Sequence, residues 1–174
     1  MKVLVLTGPE STGKSVLAQA LQARFGGLVV GEYVRHFIDS QGGRDTCLAD
    51  ITAIARGQLA WEDAARAQQP SLLILDTHLL SNLLWSHTLF GACPAWIEPA
   101  LLERDYHLHL LLSPKGITWV DDGQRCQPDL EQRLAFFADC QQWLEAHQRP
   151  YAVIEGDWPQ RLAAASARVE RLLG

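Results

Sequence analysis

The stretch Val3-Leu4-Val5-Leu6-Thr7-Gly8-Pro9-Glu10-Ser11-Thr12-Gly13-Lys14-Ser15 decides how this chain folds. It opens with a continuous apolar run, the mark of a strand covered on both faces. It then meets Gly8-x-x-x-x-Gly13-Lys14-Ser15, the fixed positions of a phosphate-binding loop. Each residue type has a task there. Glycines let the backbone curl until several N–H groups point at phosphate oxygens. Lys14 carries a compact positive charge to the outer phosphates. The Ser15 hydroxyl suits Mg²⁺, a hard cation that prefers oxygen. A helix opening near Lys14 adds its positive end. Average residue usage produces this pattern by chance in on the order of one in 200 chains of this length, and here it also sits between a strand and a helix, as the mechanism requires. Gly8, Pro9, Glu10, Ser11, Thr12, Gly13, Lys14 and Ser15 are therefore the expected contacts of a nucleoside triphosphate, ATP or GTP.

Outward from the loop, four more apolar runs cover residues 28–30, 72–75, 108–112 and 151–154. Helical stripes fill the gaps. Leu17, Ala20, Leu21 and Phe25 form one, closed by Gly26-Gly27. Leu48, Ile51, Ala55 and Leu59 form another. Leu130, Leu134, Phe137 and Leu144 form a third behind an N-cap at Asp129, and Leu162, Ala165, Val169 and Leu172 a fourth with Pro159 in its first turn. Residues 79–104 read as a short helix, a turn and a second short helix, with Trp85, Phe90, Trp96 and Ile97 in the core. This alternation predicts an α/β fold of about five parallel strands with helices on both faces, one domain over residues 1–174.

The 174 residues suffice for one real core, and 48% apolar with 20% charged residues is ordinary globular usage. A net charge of −5 gives no overall field for nucleic acid, so phosphate affinity must be local. No run approaches the ~20 apolar residues of a membrane span, and the first run is too short for a secretory core. Cys47, Cys93, Cys126 and Cys140 lack C-x-x-C spacing and read as reduced thiols, which predicts a cytoplasmic protein. His36, His78, His87, His107, His109 and His147 show no metal-ligand spacing.

Two more runs end in acids. Asp76 closes the third run, where it either holds Mg²⁺ beside Ser15 or caps the following helix. Glu32 follows the second run, on the same edge of a parallel sheet, where ligands gather. It is placed to orient or deprotonate an acceptor hydroxyl, with Arg35 one turn on to pair with it or with phosphate; the two also read as a surface ion pair. Trp119-Val120-Asp121-Asp122-Gly123-Gln124-Arg125 follows the fourth run. With Arg133 it forms either a lid over about 115–133 that carries arginine to the phosphates, or a plain connection.

Taken in order, the loop at 8–15, Glu32-Tyr33-Val34-Arg35, Gly57-Gln58, Asp76-Thr77, Phe90-Gly91 with Cys93-Pro94, the 119–125 string and Pro150-Tyr151 carry a resemblance over nearly the whole chain. The chain resembles the ribosylnicotinamide kinase domain of NadR-type proteins, part of a wider NadR-like AAA group. The resemblance implies a P-loop kinase that moves the γ-phosphate of ATP, with Mg²⁺, to the ribose 5′-hydroxyl of a small nucleoside, nicotinamide riboside, for NAD synthesis. It implies catalytic roles for Lys14, Glu32, Asp76 and Arg125, and nucleotide contacts from Arg125 and Arg133. Substrate contacts fall to Glu32, Arg35, Trp61, Trp119, Asp121 and Asp122, and the metal to Ser15 and Asp76.

Longer members carry a helix-turn-helix and an adenylyltransferase domain ahead of this one. Here the loop begins within ten residues of Met1, so DNA binding and adenylyl transfer are expected to be absent. Two positions depart from the family pattern. His78 stands where members often have a second Asp, and Gly31 where many carry an aromatic, with Trp61 the nearby substitute. The rival reading is a regulatory module that binds ATP or GTP; Glu32 together with Arg125 favours the kinase.

Overall fold

The computed structural model describes residues 1–174. Five strands, β1 (Lys2–Thr7), β2 (Leu28–Val30), β3 (Leu72–Asp76), β4 (Leu108–Leu112) and β5 (Tyr151–Ile154), form one sheet in the order β2-β3-β1-β4-β5. Every pairing is parallel. The continuous apolar runs follow from double-sided burial. Val3, Val5, Leu73 and Leu75 face one core, while Leu4, Leu6, Leu72 and Ile74 face the other. Each such side chain, fully removed from water, contributes about 1.5–3 kcal/mol.

Helices α1 (Lys14–Phe25) and α7 (Trp158–Leu173) cover the second face through Leu17, Leu21, Ala165 and Val169. Helix α2 (Tyr33–Ser40) flanks α3 (Ile51–Ala67). That helix, with α4 (Leu79–Phe90), α5 (Ile97–Leu102) and α6 (Leu130–Ala146), closes the first face. No helix is long and apolar enough to cross a membrane.

Two helical stripes depart from expectation. Leu48 is 41% exposed and lies in a 3-10 turn, Leu48–Asp50, ahead of α3. The Asp50 carboxylate accepts from the Cys47 amide (2.9 Å) and from Arg44, which fixes the start of the helix after it. In α6, Asp129 caps as expected by accepting from the Glu131 amide. The buried face, however, is Arg133, Phe136, Cys140, Trp143 and Leu144, and Leu130 is exposed. The stripe is rotated because a buried arginine counts as polar in any periodicity.

Strand β1 lies between β3 and β4, so the loop leaving it opens at the centre of the carboxyl edge. The ends of β2, β3 and β4 bring Glu32, Asp76 and the 113–127 segment to the same edge.

Candidate active site

The phosphate loop is shaped first by its own residues. Gly8 has φ 124°, and a Cβ on it would stand 2.7 Å from the Leu112 carbonyl oxygen. Gly13, at φ 84°, turns the chain into α1. The Lys14 ammonium donates to the Gly8 and Pro9 carbonyls at 3.0 and 2.7 Å, and Thr12 Oγ1 donates to Pro9 at 3.0 Å. Loop carbonyls are thus turned onto the protein's own donors. The first N–H groups of α1, which lack partners inside the helix, border a cleft of about 520 Å³ with Gly13, Lys14 and Ser15.

At the edge of this cleft, Ser15 Oγ donates to Asp76 Oδ2 at 2.5 Å. Asp76 is nearly buried and does not cap α4; His78 occupies the N-cap position. The helix-cap alternative is therefore excluded. Thr77 takes φ 69°, costly for a β-branched residue, while its amide donates to Leu6 at 3.0 Å. This kink aims Thr77 into the cleft and His78 away from it. His78 is fully buried, edge-on to Tyr106 at 4.6 Å and 5.2 Å from His109.

Glu32 is fixed by a residue 26 positions later. The buried Gln58 side chain accepts from the Tyr33 amide (2.8 Å) and donates to the Gly31 carbonyl (3.2 Å), so it grips the backbone on both sides of Glu32. Glu32 Oε2 pairs with Arg35 Nε at 3.0 Å, Arg35 Nη1 with Asp122 Oδ2 at 2.8 Å, and Asp122 Oδ2 with Arg125 Nε at 3.2 Å. The Asp122 carboxyl lies below its usual range. Burial opposes its ionisation, and the Gln124 amide and Arg35 outweigh that.

The 115–133 segment is tied to the phosphate loop. Glu10 accepts from Trp119 Nε1 (2.8 Å) and from the amides of Gln127 (2.7 Å) and Cys126 (3.2 Å). Ser11 Oγ accepts from the Val120 amide at 3.0 Å. At the other end, buried Arg161 donates to the Ser113 carbonyl at 2.8 Å. Arg125 stands over the loop, with Nη1 donating to Val120 O and, at 3.4 Å, to Ser11 Oγ.

Several expected substrate contacts are corrected. Trp119 does not border the cleft, because its indole is committed to Glu10. Asp121 is exposed and accepts from the Gly123 amide, so it shapes a turn. Trp61 packs edge-on to Tyr33 at 4.8 Å and 5.5 Å from His36, and does not border the cleft. The cleft's aromatics are Trp85 and Phe90 of α4. Both pack on the core as expected, Trp85 against Phe136 at 4.6 Å, and both also line the cleft. The missed signal was Ser81, Asn82, Trp85 and Leu89 at helical spacing just after Asp76-Thr77, all of them cleft residues.

Arg133 is 3% exposed, and its Nε and Nη1 have no partner. It does not itself line the cleft, but it shares the α6 face of Phe136, which backs Trp85, and of Cys140, which abuts Thr7 and Gly8. Burying an unpaired guanidinium is unfavourable, so an anion near this face would relieve it. No three His, Cys, Asp or Glu side chains gather as a metal cage. One hydroxyl and one carboxylate match Mg²⁺, which keeps waters and takes phosphate oxygens to complete its shell.

Fold and loop together define a P-loop nucleotide-binding domain. A family model described as AAA domain matches residues 3–161, and the chain belongs to that family. It is 25% identical over its full length to the trifunctional NAD biosynthesis/regulator protein NadR of Salmonella typhimurium, and to that of Escherichia coli. It spans 43% of the length of each. A crystal structure of NadR protein in complex with NR superposes with TM-score 0.82 at 21% identity, over 99% of this chain and 52% of that one. NadR protein in complex with NAD and AMP-PNP gives 0.80 at 18% identity, over 99% and 49%.

Proposed function

We propose that this domain transfers the γ-phosphoryl group of ATP to the ribose 5′-hydroxyl of nicotinamide riboside, yielding ADP and nicotinamide mononucleotide. The observation that carries the reading is the placement of Glu32 on the same sheet edge as the phosphate loop, gripped by Gln58 and facing one shared cleft. The match to NadR proteins, one of them in complex with NR and another with AMP-PNP, supports the choice of substrates.

In the reaction the acceptor oxygen forms a bond to the γ-phosphorus, and the bond to the bridging oxygen of ADP breaks. Glu32 takes the hydroxyl proton. Lys14 and the α1 N-terminus hold the phosphates, Arg125 meets the charge that spreads over the transferring group, and Arg133, buried behind the cleft, adds its positive charge from that side. Ser15 and Asp76 would hold Mg²⁺, which supplies charge neutralisation on the phosphates. Trp85 and Phe90 offer apolar faces to the pyridine ring. Residues 1–174 act as one domain with residues 115–133 as its lid. Four free cysteines fit a reducing, cytoplasmic setting.

The test is acceptor identity. With ATP and Mg²⁺, nicotinamide riboside gives a product one phosphoryl group heavier, and its 5′-deoxy analogue gives none. Product from the 5′-deoxy analogue would overturn the assignment of the attacking oxygen.

A further inference from the structure

Resting on that reading, we infer that Arg35, which borders the cleft, and Asp122, which does not, act as positioning residues that couple the acceptor acid to the lid arginine. Arg35 gives Nε to Glu32 and Nη1 to Asp122, a use of the planar fork that an ammonium cannot copy. Asp122 spends both oxygens. Oδ1 accepts from the Gln124 amide at 3.1 Å, which fixes the carboxylate to the lid backbone, while Oδ2 accepts from Arg35 Nη1 and lies in a charge pair 3.2 Å from Arg125 Nε. Arg125 is thus held by charge pairing with Asp122, its Nε 3.2 Å from Oδ2 without a hydrogen bond, and by Nη1 donating to Val120 O, which leaves Nη2 for a ligand oxygen.

The chain Glu32–Arg35–Asp122–Arg125 therefore spans from the start of α2 to the lid. Gln124 to Asp39, at 2.8 Å, is a parallel tie between the same two elements. A nucleoside that orders Glu32 orders Arg35 with it, and through Asp122 the guanidinium that meets the phosphates. Whichever ligand binds first removes part of the ordering cost for the second, so the two bind cooperatively. The side chains of Arg35 and Asp122 are 39% and 28% exposed, so the pair adds little to fold stability and its variants fold.

The experiment compares the affinity of a non-hydrolysable ATP analogue with and without nicotinamide riboside. In the unaltered protein the nucleoside tightens analogue binding roughly tenfold. In Arg35→Ala, Asp122→Asn and their double variant the factor falls to about twofold or less, the double being no worse than either single, and Arg35→Lys restores little. A second readout needs no acceptor. With the analogue bound, exchange of the Gln124 amide accelerates roughly tenfold in Arg35→Ala, although Arg35 touches only the far side of Asp122. Undiminished cooperativity in the variants, or unchanged Gln124 exchange, overturns the proposal. If nicotinamide riboside neither binds nor reacts, the kinase reading fails and the exchange experiment alone decides the coupling.

Discussion

The ring of Tyr33 lies against the Cα of Gly57, so that a Cβ on Gly57 would stand 2.1 Å from the ring. Glycine inside a helix normally costs about 0.5–1 kcal/mol relative to alanine. Here the sign reverses. Gly57→Ala is expected to destabilise the protein by about 1–3 kcal/mol. It pushes Tyr33, and with it the backbone of Glu32, off the Gln58 grip, so turnover falls while ATP affinity holds. Denaturant unfolding alongside steady-state kinetics checks both; a stabilised variant with normal kcat would contradict the packing account.

The proposed reaction gives the two acids separable work. Asp76→Asn weakens metal placement, so the Mg²⁺ concentration for half-maximal activity rises, with most of the rate recovered at high Mg²⁺. Glu32→Gln lowers kcat by roughly a hundredfold or more, with little change in nucleotide affinity or Mg²⁺ requirement. Mg²⁺ titration of both variants separates them, and the reverse pattern would exchange the assignments.

Arg133 is stabilised by no partner of its own. Arg133→Met should leave stability unchanged or raise it by about 1–2 kcal/mol, while lowering kcat by roughly a hundredfold. A destabilised variant with normal kinetics would make the arginine a structural residue.

His78 and His109 are buried neutral. Burial is the chief cause for both; it lowers His109 to about 4 and holds His78 well below its usual value, with His109 and Arg149 adding to the effect. The unfolded chain takes protons near pH ~6.5, before the folded one does. Stability is therefore intact above that pH and falls as pH drops toward about 4, by up to about 1.4 kcal/mol per pH unit for each histidine. Urea unfolding from pH 7.5 to 4.5 reads the slope. His78→Leu should remove about one proton's share; an unchanged slope would place the titration elsewhere.

What the sequence made legible follows from how local the cause is. The strands were readable because both faces of β1 and β3 are buried, which forces unbroken apolar runs. The phosphate loop was readable because its backbone admits few residue types at Gly8 and Gly13. Gly57-Gln58 was visible as a string without its reason, which is packing across the 24 residues from Tyr33. Trp85 was placed in the core, correctly, but periodicity cannot say that its other side faces a cleft. Nearness in sequence does not say that the Trp61 ring packs on Tyr33 of α2. The Arg35–Asp122 pair spans 87 positions and joins helix α2 to the 115–133 segment, which no local pattern encodes.

The most direct measurement is phosphoryl transfer by purified protein across a nucleoside panel, with ATP and GTP offered separately and Lys14→Ala as control. The account predicts rapid ADP formation with nicotinamide riboside and ATP, nicotinamide mononucleotide as product, and loss of both in Lys14→Ala, which keeps its fold because Lys14 bonds only loop carbonyls. If no nucleoside accelerates ADP formation although nucleotide binds, the domain is a nucleotide-dependent binding module and the kinase account is wrong.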